Sequence, residues 1–157
     1  MAANARIIGF LRGQSPDGAG RYLSEIQQWP DQELESVHDF IQWLFPLTDP
    51  SPVNPDAPVL DAGTISQIQS RPELLDAVRA SLERMRRFYE GSSHWLTAGN
   101  HNHLRITRIL KCLKLLGLDA EADAFFQYLD RIYEQEQRKP RPGIAARSFE
   151  FWRNAVA

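Results

Sequence analysis

The sequence predicts an all-α protein, a compact bundle of six or seven helices around one central helix, within a single domain of residues 1–157. The stretch from His101 to Gly117, HNHLRITRILKCLKLLG, carries apolar residues at helical spacing on two sides. A helix of this kind usually packs against other helices on both sides. No segment alternates apolar and polar residues strongly enough to predict a strand. With 157 residues, 43% of them hydrophobic, the chain can bury a sizeable core.

The N-terminal part is expected to begin with a short helix over residues 4–12, followed by a turn at residues 15–18, SPDG. Residues 20–29 carry large apolar side chains at positions i, i+4 and i+7, which predicts a second helix. Pro30 ends that helix because proline cannot continue it. The apolar spacing then predicts a third helix over about residues 32–45.

A proline-rich segment, residues 46–58, follows the third helix. Because proline lacks an amide donor, this segment can be neither a regular helix nor a central strand. Predicted helices flank it on both sides, and some of its residues are apolar. We therefore expect one long, stiff, ordered loop laid over the core. Its prolines are Pro46, Pro50, Pro52, Pro55 and Pro58.

Capping signals place the helices of the second half of the chain. Thr64 and Ser70 each begin a capping-box pattern, and Asp119 can cap the helix after the central one. Gly117 stands where a helix that ends in a left-handed residue favours glycine, and Asn100 or Asn102 can cap the start of the central helix. These helices are expected over residues 64–69, 71–90, 101–117, 120–137 and 148–156.

Charge and composition exclude several classes of partner. The formal net charge of −2 and the lack of a continuous basic stripe argue against nucleic acid. No apolar run reaches transmembrane length, and the N-terminal run is too short for a secretory signal, so no membrane insertion is expected. A single cysteine, Cys112, excludes an internal disulfide framework and predicts a reducing compartment, the cytoplasm.

Histidines near residue 100 raise the question of a metal site. His101 and His103 are two residues apart on a predicted helix, about 200° around its axis, so they cannot face one ligand. The spacing of His94, His101 and His103 matches none of the common zinc patterns, and no second cysteine is available. We therefore expect no metal and no other cofactor.

An anion site at the N-terminus of the central helix is a second hypothesis. Free backbone amides and the helix dipole favour negative charge there, and three basic side chains follow at i, i+4 and i+7 on one face. In the favoured alternative, the arginines instead satisfy carbonyls or buried acids such as Asp39 or Glu90. The candidate ligand residues are His101, His103, Arg105 and Arg108.

A third hypothesis is an aromatic groove for a peptide. Trp43, Trp95 and Trp152 are the candidate walls, and Trp95 lies in a predicted loop, where an exposed ring would indicate recognition. For each ring alone, core packing is the favoured interpretation, since aromatic rings at helical spacing are usually buried. Signals for an enzyme are thin: the sequence contains no GxSxG, P-loop, GxGxxG or HExxH pattern. Catalysis is therefore not the expected role.

Several stretches together resemble the conserved domain of the opioid growth factor receptor family. They are HDFIQWLFPL at residues 38–47, Asn54 and Ala57, RFY at residues 87–89, Trp95, and HNHLRITRILK at residues 101–111. The resemblance implies an all-helical domain. Within its motifs, His38, Gln42 and Asn54 are candidates for polar clasps that satisfy free carbonyls. His38 is also expected to touch the core, because it lies between apolar positions on the helical net.

For function, the resemblance implies a receptor-like protein. Animal members of the family are described as receptors for the peptide Met-enkephalin, and a stand-alone domain of this length resembles a microbial member. We therefore expect a non-enzymatic binding module for a peptide or protein partner. The alternative is a binder of, or an enzyme acting on, a small phosphate or carboxylate ligand at the N-terminus of the 101–117 helix.

Overall fold

The computed structural model describes residues 2–157, with side chains from Arg6 onward. Over this range the chain forms α-helices and no strand, apart from an isolated parallel bridge between Leu47 and Val59. The all-α prediction is confirmed. The helices are α1 (Ala2–Leu11), α2 (Leu23–Gln27), α3 (Asp31–Ser36), α4 (Ile41–Leu44), α5 (Ala62–Gln69), α6 (Pro72–Glu90), α7 (Asn102–Leu115), α8 (Asp119–Gln137) and α9 (Ala146–Val156).

The chain divides into two compact units, which are described separately. The first unit ends at Phe88 and contains α1 to α5 and all of α6 except its last two residues. The second unit runs from Tyr89 to Ala157 and contains α7, α8 and α9. A single domain over residues 1–157 stays a prediction.

The predicted helix over residues 32–45 is wrong, because the chain forms two short helices there. α3 ends at Ser36, and Val37 takes an extended conformation with φ −94° and ψ 131°. Residues 37–40 then lead into α4. The break resets the helical register, so Leu34 and Ile41 are both buried while His38 between them is exposed. This division is one reason why the described chain has more helices than the six or seven expected.

The proline-rich segment is held by hydrogen bonds at both of its ends and in its middle. The amide of Leu60 donates to the carbonyl of Leu47 at 2.8 Å, beside the bridge between Leu47 and Val59. Within the loop, the amide of Asn54 donates to Ser51 Oγ at 3.1 Å. These bonds pair backbone groups of a segment that forms neither a helix nor a strand, as expected for an ordered loop.

Neither of the two predicted capping boxes, which begin at Thr64 and at Ser70, caps a helix as expected. The carboxylate of Asp61 caps α5, accepting hydrogen bonds from the amide and the hydroxyl of Thr64, both at 2.8 Å. Asp61 also precedes an apolar helix, and a carboxylate is as good an N-cap as threonine. Ser70 is instead the C-cap residue of α5, and its hydroxyl donates to the carbonyl of Gln67.

In the second unit, α7, α8 and α9 pack against one another. α7 ends as the glycine predicts: Gly117 has φ +80°. The amide of Leu118 reaches back to the carbonyl of Leu113 at 2.8 Å, and that of Gly117 to Lys114 at 3.1 Å, which is the Schellman arrangement. The apolar core of this unit includes Ile106, Ile109, Leu110, Leu113, Phe125, Leu129, Phe149 and Trp152.

Candidate functional site

His103, in the first turn of α7, is the central polar residue of the second unit. Its ring Nε2 lies 2.8 Å from the carbonyl oxygen of Trp95. Because a carbonyl can only accept, Nε2 must carry the proton. The carbonyl of His103 in turn accepts the indole N–H of Trp152 at 3.1 Å. One residue of α7 therefore binds both the 91–100 loop and α9.

Burial keeps the His103 ring neutral. Loss of water lowers its pKa, the hydrogen bond to the Trp95 carbonyl opposes this shift, and the nearby His101 adds to it. The other ring nitrogen, Nδ1, is then a buried acceptor with no hydrogen-bond partner in the described part of the chain. The two flanking indoles of Trp95 and Trp152 meet the imidazole edge-on, with interplanar angles of 86° and 87°.

Asn102 organises the polar groups at the start of α7. Its side chain is fully buried, and its Oδ1 accepts from the Tyr89 hydroxyl at 3.3 Å and from Arg105 Nη1 at 3.4 Å. Asn100 Oδ1 accepts both the Asn102 amide at 2.9 Å and the Asn102 Nδ2 at 3.0 Å. The sequence predicts Asn102 only as one of two possible caps, and its central position is a finding of the structure.

Most of the predicted anion ligands lie outside the two cavities described below. Arg105 is buried, with 5% of its surface exposed, and donates to Asn102. Burial lowers the pKa of Arg108, opposed by the neighbouring Cys112. His101, Arg105 and Arg108 line neither of two open cavities that the described residues form. Of the four predicted ligands, His103 alone lines one of these two cavities.

A cavity of about 280 Å³ opens between the start of α7 and the start of α9. Two large apolar side chains stand at it: Leu104 is 73% exposed and Phe151 is 45% exposed. The guanidinium of Arg147 lies over the Phe151 ring, 5.6 Å from its centre. We call this feature the α7–α9 groove. It is lined by Gly99, Asn100, His103, Leu104, Thr107, Ala145, Arg147, Ser148 and Phe151.

The sequence pattern does not identify the α7–α9 groove. Leu104 belongs to the narrower apolar stripe on the back of the central helix, and the same stripe includes the fully buried Cys112. Apolar periodicity alone cannot distinguish a stripe that is covered from one that is open. Phe151 is exposed beside the buried Trp152 because neighbouring positions in α9 point about 100° apart.

An exposed groove walled by the three predicted tryptophans is contradicted by their burial. Trp43, Trp95 and Trp152 are 3%, 1% and 0% exposed. The Trp95 indole N–H is also satisfied internally, by the carbonyls of Tyr89 and Ser92, each at 3.1 Å. A loop position therefore does not mean exposure, because the 91–100 loop folds its ring inward.

The three predicted polar clasps behave differently from one another. Asn54 Nδ2 donates to the carbonyl of His38 at 3.1 Å, which joins the proline-rich loop to the segment between α3 and α4. Gln42 is 5% exposed, and its Oε1 has no partner among the described residues. His38 is exposed, and it takes part in this bond through its backbone carbonyl.

The described residues offer no reactive thiol, no cluster of metal ligands and no membrane-spanning helix. Burial raises the pKa of the Cys112 thiol to about 12, partly opposed by Arg108, so the thiol stays protonated and unreactive near neutral pH. No group of three or more His, Cys, Asp or Glu side chains is arranged to hold a metal ion in this part of the chain. Over the same part, no helix has the length and apolar character needed to cross a membrane.

Comparison with known families agrees with the motifs. The model of the opioid growth factor receptor conserved region matches residues 13–95 and 87–157. The chain belongs to the opioid growth factor receptor conserved-region family. Both the proline-rich loop and the α7–α9 groove lie inside the matched residues, so the resemblance drawn from the motifs is confirmed.

Three of the relatives in the opioid growth factor receptor family are vertebrate proteins. The chain is 32% identical to the human opioid growth factor receptor over 160 residues, which covers 87% of this chain and 23% of that protein. It is 35% identical to the rat receptor over 114 residues, 60% of this chain and 20% of that one. Mouse opioid growth factor receptor-like protein 1 is 27% identical over 157 residues, 87% and 33% respectively.

The chain thus spans between a fifth and a third of the length of these relatives. None of these vertebrate proteins supports the expectation of a microbial family member. No solved structure is significantly similar to the chain. The likeness to known proteins is therefore one of sequence.

Proposed function

We propose that the chain is a non-enzymatic binding module that holds a peptide or protein partner in the α7–α9 groove. The observation that carries this proposal is the position of Leu104 and Phe151, two exposed apolar side chains at one cavity. Single exposed apolar residues are ordinary on a protein surface. Two of them beside a concave, mainly apolar space are typical of a recognition site.

The lining of the groove indicates which partner fits. Leu104 and Phe151 offer apolar contact, while Asn100, Thr107 and Ser148 offer hydrogen-bonding groups. The nearby Arg147 adds a positive charge at the Phe151 side. A segment with one large apolar side chain next to a carboxylate would use all three properties. The names of the relatives, as receptors of a growth factor, support a peptide or protein partner.

The alternative, a small anionic ligand at the N-terminus of α7, would use His101, His103, Arg105 and Arg108. Two observations make it the weaker proposal. Arg105 is buried and already donates to Asn102, and the first amide of the helix is already bonded to Asn100. Replacing Arg105 with Ala separates the two roles. A folded variant that loses phosphate or carboxylate binding would support the alternative, and an unfolded variant would indicate a structural arginine.

The test of the leading proposal is selection of ligands from a random peptide library, with Met-enkephalin included, followed by titration of single variants. Leu104→Ala and Phe151→Ala should each weaken binding about tenfold, since truncating an interface anchor costs about 1 kcal/mol or more. Val53→Ala is the matched control, because Val53 is 77% exposed and belongs to the first unit. Equal affinity for all three variants would contradict the proposal, as would a library that yields no saturable ligand.

A further inference from the structure

A second, smaller cavity of about 130 Å³ lies in the first unit, and the proposed function does not use it. We call it the first-unit cavity. It is an open cavity bordered by the turn before α2, by the end of the 37–40 segment, by α4 and by the proline-rich loop. Its lining residues are Gly18, Ala19, Arg21, Asp39, Trp43, Asn54, Pro55, Asp56 and Ala57.

Trp43 presents a hydrogen-bond donor to this cavity. Its side chain is 3% exposed, with Arg6 over the ring at 5.1 Å and Phe10 against its edge at 5.4 Å. The indole Nε1 lies 4.0 Å from the position that a Cβ on Gly18 would take, and Gly18 also lines the cavity. No hydrogen bond from this N–H is found among the described residues. The nitrogen is also not one of the fully buried atoms without a partner, so a ligand in the cavity could reach it.

Arg21 supplies a second donor that is fixed in place. Its Nε and Nη2 bind Asp17 Oδ2 at 2.9 and 2.8 Å, and Nη2 also reaches Asp39 Oδ1 at 2.9 Å. The Asp17 carboxylate is itself held by the amides of Ala19 and Arg21, both at 2.9 Å. No bond of Nη1 is found within the described chain, so the guanidinium keeps one donor group available.

Acceptors come from the proline-rich loop. The Asn54 amide is oriented by the bond from its Nδ2 to the His38 carbonyl, which leaves Oδ1 as an acceptor. Asp56 lines the cavity, and its carboxylate has no partner among the residues that the structure describes. Asp39 has one carboxylate oxygen beyond the one that Arg21 binds. The cavity therefore has hydrogen-bond donors on Trp43 and Arg21. Its acceptors lie on Asn54, Asp56 and Asp39, and the two carboxylates make this second group negatively charged.

We propose that the first-unit cavity binds a small zwitterion, a free α-amino acid. Trp43 Nε1 and Arg21 Nη1 donate to its carboxylate, and Asp56, together with Asn54 Oδ1, accepts from its ammonium group. The cavity of about 130 Å³ has room for several water molecules, which suits a ligand with a small side chain. Gly18, Ala19 and Ala57 keep this space free because they carry little or no side chain.

The test is titration of the whole chain with free glycine, alanine and serine, followed by NMR of the backbone amides and by calorimetry. N-acetylglycine and glycinamide are the matched ligands, since the first lacks the ammonium group and the second lacks the carboxylate. We expect saturable binding of a free amino acid, with shifts in residues 18–21 and 54–57, and at least tenfold weaker binding of both derivatives.

Substitutions test separately the groups proposed to bind the ammonium and those proposed to bind the carboxylate of the amino acid. Asp56→Asn should weaken amino-acid binding about tenfold or more, because it removes the charge and keeps the shape. Asp49→Asn is the control, since Asp49 is an exposed acid of the same loop that does not line the cavity. Trp43→Phe should also weaken binding, and circular dichroism establishes whether that variant is folded. If that variant is not folded, the effect of Asp56→Asn on amino-acid binding is the test of the proposal.

Two results would overturn this inference. One is the absence of saturable shifts with any of the free amino acids at millimolar concentration. The other is binding that Asp56→Asn leaves unchanged. Leu104→Ala should leave amino-acid binding intact, so failure of this proposal and failure of the peptide-binding proposal are separate outcomes.

Discussion

At the scale of single residues, the second unit depends on buried polar side chains whose bonds are nearly complete. His103 donates through Nε2 to Trp95 and accepts through its carbonyl from Trp152. Asn102 accepts from Tyr89 and Arg105. A buried polar group that loses its partner costs about 1–3 kcal/mol, so these residues are where small changes should have large effects.

The protonation of His103 should make stability depend on pH. Burial lowers its folded-state pKa, whereas in the unfolded chain a histidine titrates near about 6.5. The unfolded chain therefore binds the proton more readily, and stability should be complete above about pH 6.5 and fall as the pH drops below it, by at most about 1.4 kcal/mol per pH unit. Urea unfolding of the chain at about pH 7.5 and about pH 5.5, on either side of that value, measures this.

Histidine variants identify the group responsible. His103→Gln should be less stable at neutral pH and should lose most of the pH dependence. His38→Gln is the control, because His38 is exposed, and it should keep the wild-type profile. If His103→Gln keeps the wild-type dependence of stability on pH, another group is responsible for that dependence.

Replacing Asn102 should destabilise the fold more than replacing an exposed residue of similar size. Asn102→Ala leaves the Tyr89 hydroxyl and Arg105 Nη1 without the acceptor that they share, at a cost of about 2–3 kcal/mol. Asn154→Ala, at an exposed position of α9, should change the free energy of unfolding by no more than about 0.5 kcal/mol. Similar unfolding midpoints for the two variants would contradict the role given to Asn102.

At the scale of elements, long periodic helices can be predicted from the sequence and short ones cannot. α6, α7 and α8 lie close to their expected ranges, because many turns of consistent apolar spacing specify them. The expected helix over 32–45 is wrong because a seven-residue spacing between apolar positions fits two short helices with a break as well as one continuous helix. The cap of α5 differs from the prediction because Asp61 and Thr64 are both good caps.

The candidate site is predictable only in part, because a local apolar pattern does not show which side chains are covered. Periodicity locates α7 and indicates its second apolar stripe, but it does not show that Leu104 is open while Cys112 is covered. The loop position of Trp95 suggests exposure, and the loop instead folds that ring onto Tyr89. Whether a side chain is exposed depends on what packs over it, which a local pattern does not record.

The close contact between two loops of the second unit gives a prediction at this scale. A Cβ on Gly143 would clash with the carbonyl oxygen of Leu96 and would lie 2.8 Å from Glu136 Oε1, which also accepts the Gly143 amide. Because backbone must move to admit it, Gly143→Ala should destabilise by about 3 kcal/mol or more.

Gly63→Ala provides the contrast. Gly63 lies inside α5, and its Cβ would meet only Asp61 Oδ1, at an ordinary 3.6 Å. This variant should be as stable as the wild type or up to about 1 kcal/mol more stable, because alanine favours the helix. Thermal unfolding of both variants measures the difference. Equal loss of stability in the two would mean that the Leu96 contact is unimportant.

At the scale of the whole molecule, the chain is an all-helical member of the opioid growth factor receptor conserved-region family. Each of its two units contains one cavity of interest, a mainly apolar groove at Leu104 and Phe151 and a small polar cavity at Trp43 and Asp56. The two differ in lining and in size, so we expect them to accept ligands of different classes. The proposed binding of a peptide or protein partner concerns the larger one, the α7–α9 groove.

Chemical-shift mapping of a library-selected peptide on the isotope-labelled chain tests this binding most directly. We expect saturable shifts concentrated at residues 99–107 and 145–151, and their loss in a folded chain that carries both Leu104→Ala and Phe151→Ala. Shifts that cluster elsewhere, or that persist at full size in the double variant, would contradict the assignment of the α7–α9 groove as the binding surface.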